Sequence, residues 1–264
     1  MYSFNIVLTE KCNISCPHCY MSCSHLSNGR TMSKENITTI IKRLPLNTRK
    51  VVLTGGEVFC EKELLFYAIK TIRKHYPDVI IELESNGKYI YSKEDIKVVL
   101  TYLKTIGVNS IVFSDDPFHQ QGGVDLLKVR KIKEYEDNNT PKIKYLILNK
   151  ALEIGRARNL DDNKVEKRNC MNNENTTNNP YFFVDVEGFV YLCAWKIIPH
   201  IGNIIYEQLS DILFRLKEEF NSLILRGEIL KAININHNPK ENQKIVNDKG
   251  ECMLCYTTFS RKKK

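Results

Sequence analysis

The stretch Glu10–Cys23 reads EKCNISCPHCYMSC and places four cysteines within twelve residues. It follows an apolar, β-branched run, Phe4–Leu8, so a candidate first strand ends on a loop dense in thiols. What those thiols do depends on the compartment. The N-terminal residues lack the basic-then-apolar pattern of a secretion signal, and no apolar run approaches the roughly 20 residues of a membrane span. The expectation is a cytoplasmic protein without membrane attachment. There, crowded cysteines bind metal or do redox chemistry rather than pair as disulfides. Cys12, Cys16 and Cys19 form C-x3-C-x2-C, and three thiolates on one short loop can converge on one inorganic centre. Structural zinc wants four closed ligands, and Cys23 could supply the fourth; an iron–sulfur cube held by three thiolates would keep one iron open. Spacing alone decides nothing between them.

Beyond this loop, short apolar runs alternate with amphipathic ones. Val51–Leu53, Val79–Leu83, Ile111–Phe113 and Ile143–Leu148 read as further strands. Ser33 is placed to N-cap a helix whose Ile37, Ile40, Ile41 and Leu44 share one face. Ser92 with Asp95 resembles a capping box ahead of Ile96, Val99, Leu100 and Leu103. The intervals suit βαβ crossovers, hence a parallel sheet or barrel. The pattern stops near residue 160, where Asp161–Pro180 is polar and Asn-rich. YFFVDVEGFVYLC, Tyr181–Cys193, then reads as a β-hairpin about Glu187-Gly188. A helix is expected over Gln208–Leu225, with Leu209, Ile212, Leu213 and Leu216 on one face, and a polar stretch, Asn236–Gly250, precedes the final cysteines. The fold class expected is α/β, with an α/β domain over residues 1–160 and a small hairpin-plus-helix module over 161–264. Hydrophobic residues at 42% can fill such a core. The net charge of +8, partly in Arg261–Lys264, comes without a basic stripe interleaved with aromatics, so it reads as solvated surface rather than a nucleic-acid footprint.

Three segments share one position, each closing a strand: the cysteine loop with His18 and Tyr20 beside Cys19, GGE at Gly55–Glu57, and SNG at Ser85–Gly87. Together they resemble the radical S-adenosylmethionine (SAM) enzymes over roughly residues 4–150. The resemblance implies a partial (β/α) barrel. It implies a [4Fe-4S] cluster on Cys12, Cys16 and Cys19, whose open iron binds the amino and carboxylate groups of SAM. Gly55, Gly56 and Glu57 match the segment that receives the cofactor's amino group. Tyr20, Ser85, Asn86 and Ser114 (or Asp115) match positions that meet the rest of the cofactor. A parallel α/β sheet gathers ligands at the carboxyl ends of its strands, where all these segments lie.

Cys170, Cys193, Cys252 and Cys255 remain. Gly188-x4-Cys193 and IGNI at Ile201–Ile204 resemble the twitch and SPASM extensions, which implies a second, auxiliary [4Fe-4S] cluster on these four thiols. A structural zinc site is the alternative. Arg156, in a Gly-Arg-Ala segment similar to those after the fifth strand of such enzymes, is expected to face cofactor or substrate. Asp116 and His119 are candidate acid–base or substrate contacts, set against a plain polar turn with Pro117. Cys23 and Cys60 are spare, either hydrogen-atom donors or small buried residues, and Trp195 is expected to pack the small module. The function expected is radical tailoring of a peptide or natural product, served by an external electron donor such as flavodoxin or ferredoxin. A small-molecule dehydrogenase similar to those oxidising 2-deoxy-scyllo-inosamine, and an iron–sulfur electron-transfer or redox-sensing protein without radical catalysis, are the alternatives.

Overall fold

Side chains alternate across each strand, and here the two faces have opposite character. β1 (Tyr2–Thr9), β2 (Thr48–Gly55), β3 (Ile80–Ser85), β4 (Ser110–Ser114) and β5 (Lys142–Leu146) pair in parallel in the order β5-β4-β3-β2-β1. One face carries Phe4, Ile6, Val51, Leu53, Ile81, Leu83, Ile111 and Phe113, all buried. These pack in one core with Ile37, Ile40 and Ile41 of α1 (Lys34–Arg43), Leu65 and Ile69 of α2 (Lys62–His75), and Leu100 and Leu103 of a third helix, Ile96–Thr105. The other face carries Asn5, Thr54, Glu82, Glu84 and Lys144, of which Asn5, Thr54 and Glu84 line a cavity. The computed structural model describes residues 1–93, 95–168, 170, 179–235 and 238–260; the basic Arg261–Lys264 lies outside them, as does part of the Asn-rich connector.

β6 (Tyr181–Val184) joins the free side of β1 in parallel, and β7 (Phe189–Tyr191) and β8 (Gly202–Asn203) follow antiparallel, giving one open eight-stranded sheet. The hairpin turns where Gly188 sits at φ +83°, with Asp185 Oδ1 accepting from the amides of Glu187 and Phe189 at 3.1 and 3.0 Å. Arg43 of α1 donates to the carbonyls of Ile204 and Glu207 at 2.8 and 2.9 Å, tying the IGNI segment to the first crossover. A parallel α/β sheet with a C-terminal hairpin and helices is what the periodicities imply, and the partial barrel is what the resemblance implies. Among the described residues, no helix is long and apolar enough to cross a membrane.

Three elements differ from expectation. Asp95, not Ser92, caps the Ile96–Thr105 helix: its side chain accepts from Val98 N at 3.0 Å. Ser92 lies inside α3 (Lys88–Lys93), so α4 is the Ile96–Thr105 helix. The expected helix over 208–225 is broken: α7 (Leu209–Phe214) and α8 (Glu219–Leu225) flank a 3-10 turn, and Glu218 is extended. α5 (Pro117–Gln121) and α6 (Leu126–Lys131) are short helices after β4. The polar stretch before the last cysteines holds α10 (Pro239–Lys249), N-capped by Asn238, after α9 (Ile229–Asn234). A largely solvated helix needs no strong apolar stripe, which is why its pattern misled.

Candidate cluster and cofactor site

The loops that close β1 to β4 meet, with Ile154 and Arg156, around one cavity of about 280 Å³. Cys12, Cys16 and Cys19 line it together with Tyr20, Gly55, Gly56, Ser85, Asn86, Ser114, His119 and Arg156. Backbone hydrogen bonds hold the cysteine loop against its neighbours. Gly56 N donates to Thr9 O and Glu57 N to Lys11 O, both at 2.8 Å, and Arg156 N donates to Cys19 O at 3.1 Å. A β-carbon at Gly55 would lie 2.4 Å from Thr9 O, and one at Gly56 2.4 Å from Lys11 O. The paired glycines are therefore required by the closeness of the cysteine loop itself.

Glu57 is not aimed at the cavity. It is buried, and its carboxylate accepts from Ser85 Oγ at 2.9 Å, Asn86 N at 2.8 Å and Phe59 N at 3.2 Å. Its oxygens are engaged in joining the β2 and β3 loops. Asn86 in turn donates to Asn13 Oδ1 at 2.9 Å, within the cysteine loop, and its Nδ2 lies 3.9 Å from Cys12 Sγ. Asp116 and His119 divide similarly. Asp116 is buried, caps α5 through the amides of Phe118 and His119, and holds His119 Nδ1 at 2.8 Å, whereas His119 lines the cavity. Burial pushes the Asp116 carboxyl up, but hydrogen bonds from His119 hold it below the ordinary range. Asp115 pairs with Arg130 instead.

Burial raises the Cys12 thiol to about 12 and pushes Cys16 up as well. Cys19 is held down to about 6, chiefly by the Cys23 thiol against it. Loading such a site with metal must release protons. His18 stacks on Phe118 at 4.8 Å and lies edge-on to His119 at 4.9 Å; burial, then His119, lowers it to about 4. One donor atom from each of Cys16, His18 and His119 lies within 4.8 Å of the others. Arg156 donates from Nε to Cys16 O at 2.9 Å, yet its Nη2 is buried without a partner, as is His18 Nδ1. An unpartnered guanidinium nitrogen beside three thiols suits an anionic group held there, so the residues present fit a thiolate-bound cluster and a carboxylate-bearing cofactor.

The C-terminal cysteines converge on a second cavity of about 380 Å³, lined by Cys170, Cys193, Cys252 and Cys255 among Leu192, Ile197, Ile198 and Ile224. Cys252 and Cys255 stand three apart on α11 (Glu251–Ser260), hence on one face. Burial raises Cys252 to about 12 and pushes Cys193 and Cys255 up. Four thiols around one apolar cavity fit a closed, fully ligated centre. Trp195 lines both cavities and meets Tyr20 edge-on at 5.1 Å, so it packs between the two cavities rather than within the small module alone. Sequence reasoning missed Asn5 and Glu84, which line the first cavity. The signal was available in FNIVL and IELES, where polar residues alternate with buried apolar ones.

Residues 6–137, half of the chain, match the Radical SAM superfamily. The chain belongs to the radical SAM superfamily. It is 32% identical over 117 residues to "Putative peptide biosynthesis protein YydG" of Bacillus subtilis, covering 44% of this chain and 36% of that protein. It is 30% identical over 157 residues to "Probable GTP 3',8-cyclase" of Methanococcus vannielii, covering 58% and 46%. The matches thus span less than half the length of either curated relative. The fold of this radical SAM protein is also that of BtrN, whose crystal structure is a complex with AdoMet and 2-DOIA: TM-score 0.61 at 18% identity, over 87% of this chain and 89% of that one.

Proposed function

We propose that this radical SAM protein tailors a peptide or natural product by hydrogen abstraction, in an oxidation or an epimerisation. The observation that carries the reading is the convergence of Cys12, Cys16 and Cys19 with Gly55, Gly56, Ser85 and Asn86 on one cavity. The three cysteines would hold the [4Fe-4S] cluster, and the glycine pair, Tyr20, Ser85, Asn86 and Ser114 would surround SAM. When bound, the cluster supplies the electron that cleaves SAM to a 5′-deoxyadenosyl radical able to abstract hydrogen from a substrate carbon. Arg156 faces the anionic groups, Glu57 keeps the β2 and β3 loops in register, and Tyr20 and Trp195 keep water from the space between the two cavities. Asp116 orients His119, whose ring reaches the cavity and can hold or move a proton there.

Cys170, Cys193, Cys252 and Cys255 would hold an auxiliary [4Fe-4S] cluster. With four protein ligands it would carry electrons and would leave no iron for substrate. Residues 1–160 then act as the catalytic unit and 161–264 as the auxiliary one, with flavodoxin or ferredoxin as electron donor. A peptide substrate is supported by the likeness to a protein named for peptide biosynthesis. Anaerobic reconstitution tests the reading: about eight irons are expected, and replacing Cys12, Cys16 and Cys19 by alanine should halve them and abolish 5′-deoxyadenosine formation. Zinc in place of iron, or activity without those thiols, would overturn it.

A further inference from the structure

The floor of the first cavity holds a group of acceptors that the cofactor motifs do not use. Glu84, on β3, borders the cavity with Thr54 of β2 and Asn5 of β1. Thr54 Oγ1 donates to Glu84 Oε2 at 2.7 Å. Asn5 borders the same cavity as Glu84, on β1, with β2 and its Thr54 between the two strands. Asn5 Oδ1 is buried and without a partner, in a residue only 6% exposed. The nearby lysines are committed elsewhere: Lys50 and Lys144 pair with Glu82 at 2.6 and 2.5 Å. Among the described residues, no ion pair includes Glu84, and burial pushes its carboxyl above the ordinary range.

A carboxylate without a cation and a carbonyl without a donor, both bordering one cavity, are costly to bury. A neutral amide N–H would satisfy one of them. An ammonium has three donors and a charge, and satisfies both. We propose that Glu84 and Asn5 form the subsite for a primary ammonium carried by the substrate, which they hold in the floor of the cavity below the cysteine loop. The assignment rests on the radical SAM reading of that cavity, and it narrows the substrate class to amines: a lysine-type side chain or a free α-amine.

The test is calorimetric titration of the reconstituted, SAM-loaded protein with three probes: Nα-acetyl-lysine N-methylamide, alanine N-methylamide and the uncharged Nα-acetyl-norleucine N-methylamide. Binding of either amine, with the norleucine probe at least about tenfold weaker, is expected. Which amine binds distinguishes a side-chain from an α-amine source. Glu84→Gln should abolish the preference while SAM affinity and iron content stay within about twofold. Should that variant not fold, Glu84→Met, of similar length, carries the same comparison. Equal binding of lysine and norleucine probes, or unchanged amine binding by the Glu84 variants, overturns the proposal. So does a loss of SAM affinity parallel to the loss of amine, which would make Glu84 a cofactor residue. The same titration on cluster-free protein separates the two readings: amine selectivity that persists without iron supports the subsite even where the cluster assignment fails.

Discussion

Glu57 shows how far a residue's type can be read without its direction. A carboxylate after two glycines suggests a partner for a cationic ligand, yet its three partners are Ser85, Asn86 and Phe59, all within the protein. Glu57→Ala would leave two buried amides and a hydroxyl without their acceptor, and should lower stability by at least about 2 kcal/mol, measured by denaturant unfolding. Any weakening of SAM binding would then follow the displaced Asn86 loop. Gly155 makes a complementary case. It holds φ +57° against the cysteine loop, and a β-carbon there would lie 2.5 Å from the carbonyls of Cys19 and Tyr20. Gly123, at φ +101°, would bring a β-carbon no nearer than 3.3 Å to Lys88 Nζ. Both alanine variants carry the cost of a left-handed residue, about 1 kcal/mol. Only Gly155→Ala should also expel the Arg156 segment and lower the iron retained after desalting. Equal retention in the two variants would remove Gly155 from the site's support.

At the scale of elements, helix starts and the cysteine-bearing helix carry distinct predictions. Asp95 caps α4 through Val98 N, whereas Ser92 Oγ donates to Lys88 O inside α3. Asp95→Ala is therefore expected to cost about 0.5–2 kcal/mol and Ser92→Ala much less, by thermal or urea unfolding. The reverse order would restore the capping box that the spacing suggested. On α11, Cys255→Ala removes one of four thiols around the second cavity. The expected outcome is loss of one cluster's worth of iron, about four atoms, with SAM cleavage by the remaining cluster retained and substrate turnover lowered much further. Undiminished turnover would make this helix a scaffold. Retained iron would place its ligands elsewhere.

For the whole molecule, two kinds of information separate. The βαβ rhythm, the strand cores and the edge on which the cysteine, GGE and SNG segments lie are local properties, because strand alternation and parallel connection follow from short-range pattern. They were legible from FNIVL, VVL and IELES, and the family follows from motifs a few residues long. The hairpin turn at Gly188 was legible for the same reason. The broken helix at Arg215–Lys217 and the solvated helix Pro239–Lys249 were not, since tertiary packing rather than periodicity supports them. Direction and convergence belong to the fold alone. It turns Glu57 away from the cavity and sends His119 into it while Asp116 stays behind as its support. It also brings Cys170, Cys193, Cys252 and Cys255, up to 85 positions apart, around one cavity. The sequence by itself determined which chemistry is present and on which edge of the sheet it lies. Only the tertiary structure decided which atoms face the cavity, because loop side chains take their direction from the neighbours packed against them, and those neighbours come from distant parts of the chain.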